Sequence, residues 1–337
     1  MRILLVTDAW APQVNGVVRT LQTVMHELEK LRHTVRAVTP SEFRTIPCPT
    51  YPEIRLALFP RARLTKILDA FDPDAIHIAT EGPLGQVARS LCLKRGLPFT
   101  TSYHTRFPDY VHARFRIPRV WTFALMRRFH AAAKGVMVAA PSLRHELTEH
   151  GFTNVVPWSR GVDTETFRPG PKDALDGARP IHLYVGRVAV EKNIEAFLSL
   201  PLPGTKHVVG DGPLLETLKR KYPDVRFAGA RFGKELARLY AAADVFVFPS
   251  RTDTFGLVML EALACGVPVA AFPVSGPLDV VDGTGVGVLD EDLGRAVEGA
   301  RRIAPDICRA HALAHSWEAC ARQFLANLHP RPRGARG

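Results

Sequence analysis

No stretch of the 337-residue chain approaches the roughly 18 to 20 uncharged residues that a membrane span needs. Its apolar opening, Ile3-Leu4-Leu5-Val6, stops at Asp8 and is too short to be expected as a signal-peptide core. Cysteine is scarce. Cys48, Cys92, Cys265, Cys308 and Cys320 are odd in number, widely spaced and contain no Cys-x-x-Cys. Neither a disulfide framework nor a zinc ribbon is expected, and the reading is a reducing, cytosolic compartment. The chain also lacks Gly-x-Gly-x-x-Gly after its first strand-like run and lacks a Walker A sequence, which weighs against a dehydrogenase and a P-loop ATPase.

What is present is globular: 46% hydrophobic and 23% charged residues. The length corresponds to about two domains at roughly 150 residues each, and needs no disulfide or metal staple. The net charge of +11 is uneven. Through Arg168 there are 23 Lys and Arg against 14 Asp and Glu; beyond it, 21 against 19. A basic half favours an anionic partner: nucleic acid, an acidic lipid surface or a phosphorylated substrate.

Residues 2–7 are a continuous aliphatic run, as in a strand buried on both faces of a parallel sheet. A helical pattern follows over 18–31, then strand-like runs at 33–38, 75–79, 98–102 and 135–139 with helical segments between. Residues 167–180 are rich in Gly, Pro and Asp, as a linker is. Alternation then restarts, with strands at 181–185, 206–209, 225–227, 245–248 and 267–272, and helices from 193 and at 213–221, 235–242 and 257–264. The pattern predicts an α/β protein of two Rossmann-like, doubly wound domains, residues 1–167 and 168–314, with a disordered tail over 330–337. Ligands of such sheets sit outside the carboxyl ends of the strands, so the expected active site is a cleft between facing domains.

The strongest local signal is Pro249-Ser250-Arg251-Thr252-Asp253-Thr254-Phe255-Gly256-Leu257-Val258-Met259-Leu260-Glu261. A strand ends in a polar loop and a helix begins near Phe255 or Gly256. The amides of Gly256, Leu257 and Val258 are then unpaired at the positive end of the dipole, a site for a diphosphate. Glu261 lies about a turn further in, where a carboxylate can bind vicinal hydroxyls; Asp253 can cap the helix or touch a sugar. An ordinary helix cap with a surface Glu is the plain alternative. In Gly186-Arg187 through Glu191-Lys192-Asn193, two cations follow a strand and can stabilise a departing diphosphate, unless they are merely solvated. The loop Ala11 to Val17 puts Gly16 at a helix start, where backbone can approach a ligand closely. His104, in Thr101-Ser102-Tyr103-His104-Thr105, ends another strand, as Glu81 does in Glu81-Gly82-Pro83. Gly210-Asp211-Gly212 shapes a turn after another strand.

Taken together, Asn15-Gly16-Val17, Tyr103-His104-Thr105, Arg160-Gly161-Val162-Asp163, Gly186-Arg187, Glu191-Lys192-Asn193, Gly210-Asp211-Gly212 and the segment ending at Glu261 resemble the retaining glycosyltransferases of family four, which have the two-domain GT-B fold. The resemblance covers nearly the whole chain, and Ser316-Trp317-Glu318 fits a closing helix, near 315–329, that crosses back onto the first domain. It implies a hexose transfer from a GDP- or UDP-linked sugar, held by the C-terminal domain, to an acceptor on the N-terminal domain. Arg187 and Lys192 would hold the diphosphate with Phe255, Gly256, Leu257 and Val258, Glu261 the ribose, and His104 the transferring sugar; Gly16 would approach the phosphate, and Gly210 and Asp211 would lie beside the base. The family pattern has Glu where this chain has Asp253. The implied mechanism is front-face attack with retention, the leaving diphosphate helping to deprotonate the acceptor. No cofactor and no metal are called for, the nucleotide-sugar being a substrate.

Residues 43–54 and 103–110 resemble a bacterial subgroup that adds hexoses to diacylglycerol-type or other lipids. A lipid or glycolipid acceptor at an anionic membrane would account for the basic half. Arg61, Arg63 and Lys66 open one helix, with Glu81 near the acceptor. Arg114, Arg116, Arg119, Arg127 and Arg128 flank Trp121, Phe123, Leu125 and Phe129, either as a docking face or as a core helix with solvated ends. The expected location is cytoplasmic, peripheral to the inner face of the membrane. The rivals are a sugar-nucleotide epimerase on the same architecture, a basic nucleic-acid-binding protein, disfavoured by the lack of any recognition motif, and a silent nucleotide-sugar sensor.

Overall fold

The structure, a computed structural model, describes residues 1–331 except 12, 14, 15, 49, 50, 105–115 and 252–255, with 51–53 described by backbone alone. The chain divides into two compact units, Met1–Ser159 with Cys320–Gly337, and Arg160–Ala319. The division at Ser159 precedes the expected boundary at 167. The reason is packing: Val162, Phe167 and Leu175 belong to the hydrophobic core of the second unit, so much of the Gly- and Pro-rich stretch is built into that unit rather than left as a bare linker.

The first unit holds β1 (Arg2–Val6), β2 (Thr34–Val38), a hairpin of β3 (Thr45–Cys48) and β4 (Tyr51–Ala57), then β5 (Ala75–Ile78), β6 (Thr100–Tyr103), β7 (Val136–Val138) and β8 (Val155–Pro157). Its main sheet has the order β2-β1-β5-β6-β7-β8 and is parallel throughout. The aliphatic run of β1 is buried from Ile3 to Val6 because helices cover both faces of such a sheet. The helix Gly16–Lys30 supplies Val18, Leu21, Val24 and Leu28 at helical spacing to that core. The hairpin is antiparallel and outside the main sheet. Sequence pattern missed it: Pro47, Pro49 and Pro52 mask any alternation.

The second unit holds β9 (Ile181–Val185), β10 (Thr205–Val209), β11 (Arg226–Gly229), β12 (Val245–Phe248), β13 (Val269–Ala271) and β14 (Gly287–Leu289). They form a parallel sheet in the order β11-β10-β9-β12-β13-β14. Strand order thus reverses between β9 and β12, and in the first unit between β1 and β5. Crevices outside the carboxyl ends of such strand pairs are where ligands of open α/β sheets bind. After β9 the chain forms a short 3-10 turn, Val190–Lys192, before the helix Glu195–Leu198, so the helix expected from Asn193 starts later. Asn193 itself has φ of 50°.

The helix Trp317–Asn327 begins in the second unit and ends in the first. Gly161 makes its start possible: a Cβ there would lie 2.6 Å from Trp317. Further along, the Trp158 indole N–H donates to the Cys320 carbonyl (3.2 Å), the Ser159 amide donates to Gln323 Oε1 (2.7 Å), and Phe324 packs against Trp158. The chain then returns to β5's side: the Arg331 amide donates to the Asp74 carbonyl (2.8 Å), and its guanidinium meets Asp72. Pro330 and Arg331 are therefore tied down, and the rest of the expected tail lies outside the described residues. All five cysteines are free thiols, and burial pushes Cys92, Cys265 and Cys308 up to about 12.

Candidate active site

The second unit's switch point gathers most of the residues singled out from sequence. The loop after β9 is held from beneath: the Tyr184 hydroxyl donates to the Arg187 carbonyl (2.8 Å). The Gly210-Asp211-Gly212 turn lies directly on it. A Cβ on Gly210 would come 1.8 Å from the Gly186 carbonyl oxygen, and one on Gly212 2.4 Å from that of Val188. The Val188 amide donates to the Asp211 carbonyl (2.9 Å). These glycines are thus explained by close packing of two loops. Asp211 caps its own turn, accepting from the Gly212 amide (2.7 Å).

A hydrogen bond from Asn193 Nδ2 to the Pro249 carbonyl (3.1 Å) joins the cation loop to the loop after β12. Arg187 and Lys192 are thereby placed beside the segment that leads into the helix Leu257–Ala264. Arg187 is largely exposed and forms an ion pair with Glu191 at 3.5 Å, a weak contact that an incoming polyanion can displace. Gly256 opens the helix with φ of 73°, in the left-handed region. A Cβ there would meet Met259 Cε at 2.7 Å and Phe248 Cζ at 3.2 Å, so glycine is required twice over. No side chain among the described residues accepts from the amides of Gly256, Leu257 or Val258. Met259 to Ala264 are fully packed, so this positive helix end lies over a dry core, where it interacts strongly with an anion. Glu261 is buried in that core, its carboxylate accepting from the Tyr240 hydroxyl at 3.2 Å; it is no surface Glu. Asp253 and Phe255 lie outside the described residues.

In the first unit, His104 follows β6. Its Nε2 is 3.0 Å from Ser102 Oγ, which is 2.9 Å from His77 Nε2, and His77 Nδ1 is 2.9 Å from Thr100 Oγ1. His104 also packs edge-on against Trp158. Burial pushes His77 down to about 3, so its imidazole is neutral at physiological pH. Glu81 Oε1 is 3.2 Å from Nε2 of the buried His130, whose Nδ1 is 2.8 Å from Thr101 Oγ1. Gly16 is exposed at its helix start and a Cβ would meet no atom of the described residues within 4 Å, so no contact among them asks for glycine there. Asn15 and Thr105 lie outside the described residues. Arg61 donates to Ser90 Oγ (2.9 Å) and Arg63 stacks 5.8 Å from Phe43, while Lys66 is exposed.

Asp8, His77, His130 and Tyr240 were not singled out from sequence. Asp8 sits directly after β1, at the first unit's switch point, a position that marks it. Its carboxylate accepts from the amides of Leu84 (2.9 Å) and Gly85 (3.3 Å) and from Thr80 Oγ1 (2.8 Å). Burial raises its pKa, opposed by those hydrogen bonds. The partners of the others lie far away in sequence, which is why pattern alone does not find them.

Two Rossmann-like sheets, with a cationic loop bonded at a switch point to the segment that leads into a helix whose start no described side chain caps, suit a phosphate-bearing ligand. Comparison with known proteins narrows it: the description Glycosyltransferase Family 4 matches residues 14–166, and Glycosyl transferases group 1 matches 179–304. The chain belongs to the family-four glycosyltransferases, and its fold is GT-B. It is 30% identical to the GDP-mannose-dependent alpha-mannosyltransferase of Mycobacterium tuberculosis, over 86% of this chain and 83% of that one. It is 29% identical to the alpha-monoglucosyldiacylglycerol synthase of Streptococcus pneumoniae, over 98% and 85%. Among solved structures, the sucrose-phosphate synthase of Thermosynechococcus elongatus superposes with a TM-score of 0.70 at 24% identity, covering 96% of this chain and 97% of its own.

Proposed function

We propose that this glycosyltransferase moves a hexose from a GDP- or UDP-linked sugar to a membrane lipid, such as a diacylglycerol-type glycolipid, with retention of configuration and without a metal ion. The observation that carries the donor half is the Asn193–Pro249 hydrogen bond, which ties the loop of Arg187 and Lys192 to the segment that leads to the helix start at Gly256. A diphosphate seated there meets two cations and amides preorganised for the charge that grows as it leaves. Glu261, steadied by Tyr240, binds the ribose hydroxyls. Gly210 and Asp211 border the base, and Asp253, Phe255, Leu257 and Val258 complete the donor contacts. In the transfer, the bond from the anomeric carbon to the diphosphate oxygen breaks. The acceptor oxygen bonds that carbon from the same face, and its proton passes to the leaving diphosphate. His104 contacts the transferring sugar and Gly16 lets the backbone approach the phosphate.

The lipid half rests on relatives: one is named for a glucosyl-diacylglycerol product, another for GDP-mannose. It also rests on the basic first half, with Arg61, Arg63 and Lys66 facing an anionic membrane and Glu81 near the acceptor. No helix among the described residues is long and apolar enough to cross a membrane, so contact would be peripheral, at the cytoplasmic face. Titration calorimetry against GDP and UDP, then mass spectrometry of a lipid extract incubated with matching donors, tests the reading. Nucleotide release that depends on lipid, with an α-linked product and full activity in EDTA, is expected. Donor conversion without any acceptor would make it an epimerase, and salt-sensitive duplex binding without donor binding a nucleic-acid protein.

A further inference from the structure

The helix Arg119–His130 has two opposed faces. Thr122, Phe123, Met126, Phe129 and His130 point inward and are buried. The inward face is firmly seated: Phe123 stacks on His150 at 3.6 Å, and Arg89 donates to the carbonyls of Phe129 and Arg128 (2.8 and 2.9 Å). The outward face carries Val120 (69% exposed), Trp121 (72%) and Leu125 (57%), with Ile117 (40%) just ahead. Trp121, Leu125 and Arg128 recur every three or four residues and form one stripe, with Val120 beside Trp121. Single exposed apolar residues are ordinary, but three large ones grouped on one helix, with a fourth just ahead of it, are not.

We infer that this face inserts into an anionic lipid bilayer, seating Val120, Trp121 and Leu125 at the boundary between headgroups and acyl chains. Charge complementarity selects the occupant. The helix holds Arg119, Arg127 and Arg128 and no acidic residue, in the half of the chain that carries most of the positive charge. Arginine stems lie along apolar surface while their heads reach phosphates, and tryptophan prefers the interfacial depth. The same helical layer continues to the basic helix Arg61–Phe71, through Arg89 on one side of the helix Pro83–Arg95 and the Arg61–Ser90 bond on the other. Ahead of that basic helix stands Phe59, 95% exposed and with φ of 48°. The sequence alone left this segment as either a docking face or a core helix with solvated ends; the structure puts Phe123 and Phe129 in the core and leaves Val120, Trp121 and Leu125 exposed.

The inference deepens the lipid-acceptor reading, and vesicle binding tests it without any sugar donor. The intact chain is sedimented with vesicles of phosphatidylglycerol and phosphatidylcholine, and with phosphatidylcholine alone. Wild type should bind the anionic vesicles, and Trp121→Ser combined with Leu125→Ser should lower partitioning at least tenfold while nucleotide titrations stay unchanged. Brominated lipid should quench a large part of the tryptophan emission, and most of that quenching should be lost in Trp121→Phe, because Trp158 and Trp317 are buried and Trp10 is half-buried. Undiminished partitioning of the double variant, equal binding to neutral vesicles, or absent quenching would overturn the assignment. So would loss of a concentration-dependent dimer in the variant without any wild-type vesicle binding, which would give the stripe to a second copy. Docking with no sugar ever transferred would refute the transfer reading and leave this one standing.

Discussion

Gly16→Ala separates a ligand contact from a folding requirement more cleanly than any other substitution in this chain. Gly16 begins the helix Gly16–Lys30, has ordinary helical backbone, and offers a new methyl group open space. Alanine at such a position ordinarily stabilises by about 0.5 kcal/mol, chiefly by restricting the unfolded chain. The fold should therefore be unharmed or slightly improved in denaturant titration. If an oxygen of the donor rests on this backbone, however, the methyl group displaces it by about 1 Å, which costs on the order of tenfold to hundredfold in kcat/KM, or about 1.4 to 2.7 kcal/mol. The partner experiment is Gly256→Ala. There φ is 73° and the methyl group meets Met259 and Phe248, so stability should drop by about 1 to 3 kcal/mol along with activity. Nucleotide release from donor and acceptor measures the rate. A Gly16→Ala enzyme with wild-type kcat/KM would show that nothing approaches this helix start and would remove Gly16 from the site.

Lys192→Ala should lower turnover on the order of a hundredfold at saturating donor, the usual consequence of losing one preorganised stabilising group; unchanged initial rates would free the cation of that role. Glu261→Gln keeps an acceptor for the Tyr240 hydroxyl, so denaturant titration should show little change while donor affinity falls by about tenfold in calorimetry. Asp8→Ala strands the buried amides of Leu84 and Gly85 and should cost about 3 kcal/mol of stability, which equilibrium unfolding would read directly. His77, held at about 3 in the fold against 6.5 free, contributes stability that is complete above pH 6.5 and is lost at about 1.4 kcal/mol per pH unit below it. Going from pH 7 to pH 5 should therefore cost about 2 kcal/mol more in wild type than in His77→Gln, and parallel pH profiles would contradict the burial argument.

The parallel sheets were legible because a strand buried on both faces must be written in continuous aliphatic residues, as Ile3 to Val6 and Val245 to Phe248 are. Strands of three residues, such as Val155–Pro157 and Gly287–Leu289, are too short to stand out, and the proline-bearing hairpin at 45–57 has no clean alternation. The site was legible where a motif follows a strand, as with Arg187, Lys192 and Gly256. It was not legible where the deciding contact is remote. Nothing local says that Glu261 is buried against Tyr240, or that Gly210 and Gly212 exist to let one loop lie on another. Amphipathic ambiguity was the remaining difficulty: Trp121 and Phe123 are equally apolar on paper, and only packing decides that one is exposed and the other buried.

The two units share a fold plan yet treat the same position differently. In each sheet, the helix that follows the strand just across the switch point aims its N-terminal amides at the ligand crevice. In the first unit that helix is Pro83–Arg95, and Asp8 already occupies its amides; Gly82 and Gly85 leave room for little else, since a Cβ on Gly82 would lie 2.5 Å from that carboxylate. A second anion there would meet a buried carboxylate and be repelled. In the second unit the helix is Leu257–Ala264; no described side chain fills its start, and Lys192 and Arg187 stand on the loop bonded to its approach. An internal anion closes one helix end, whereas cations flank the other; on the proposed function, the second unit's helix end is therefore the one that receives the diphosphate.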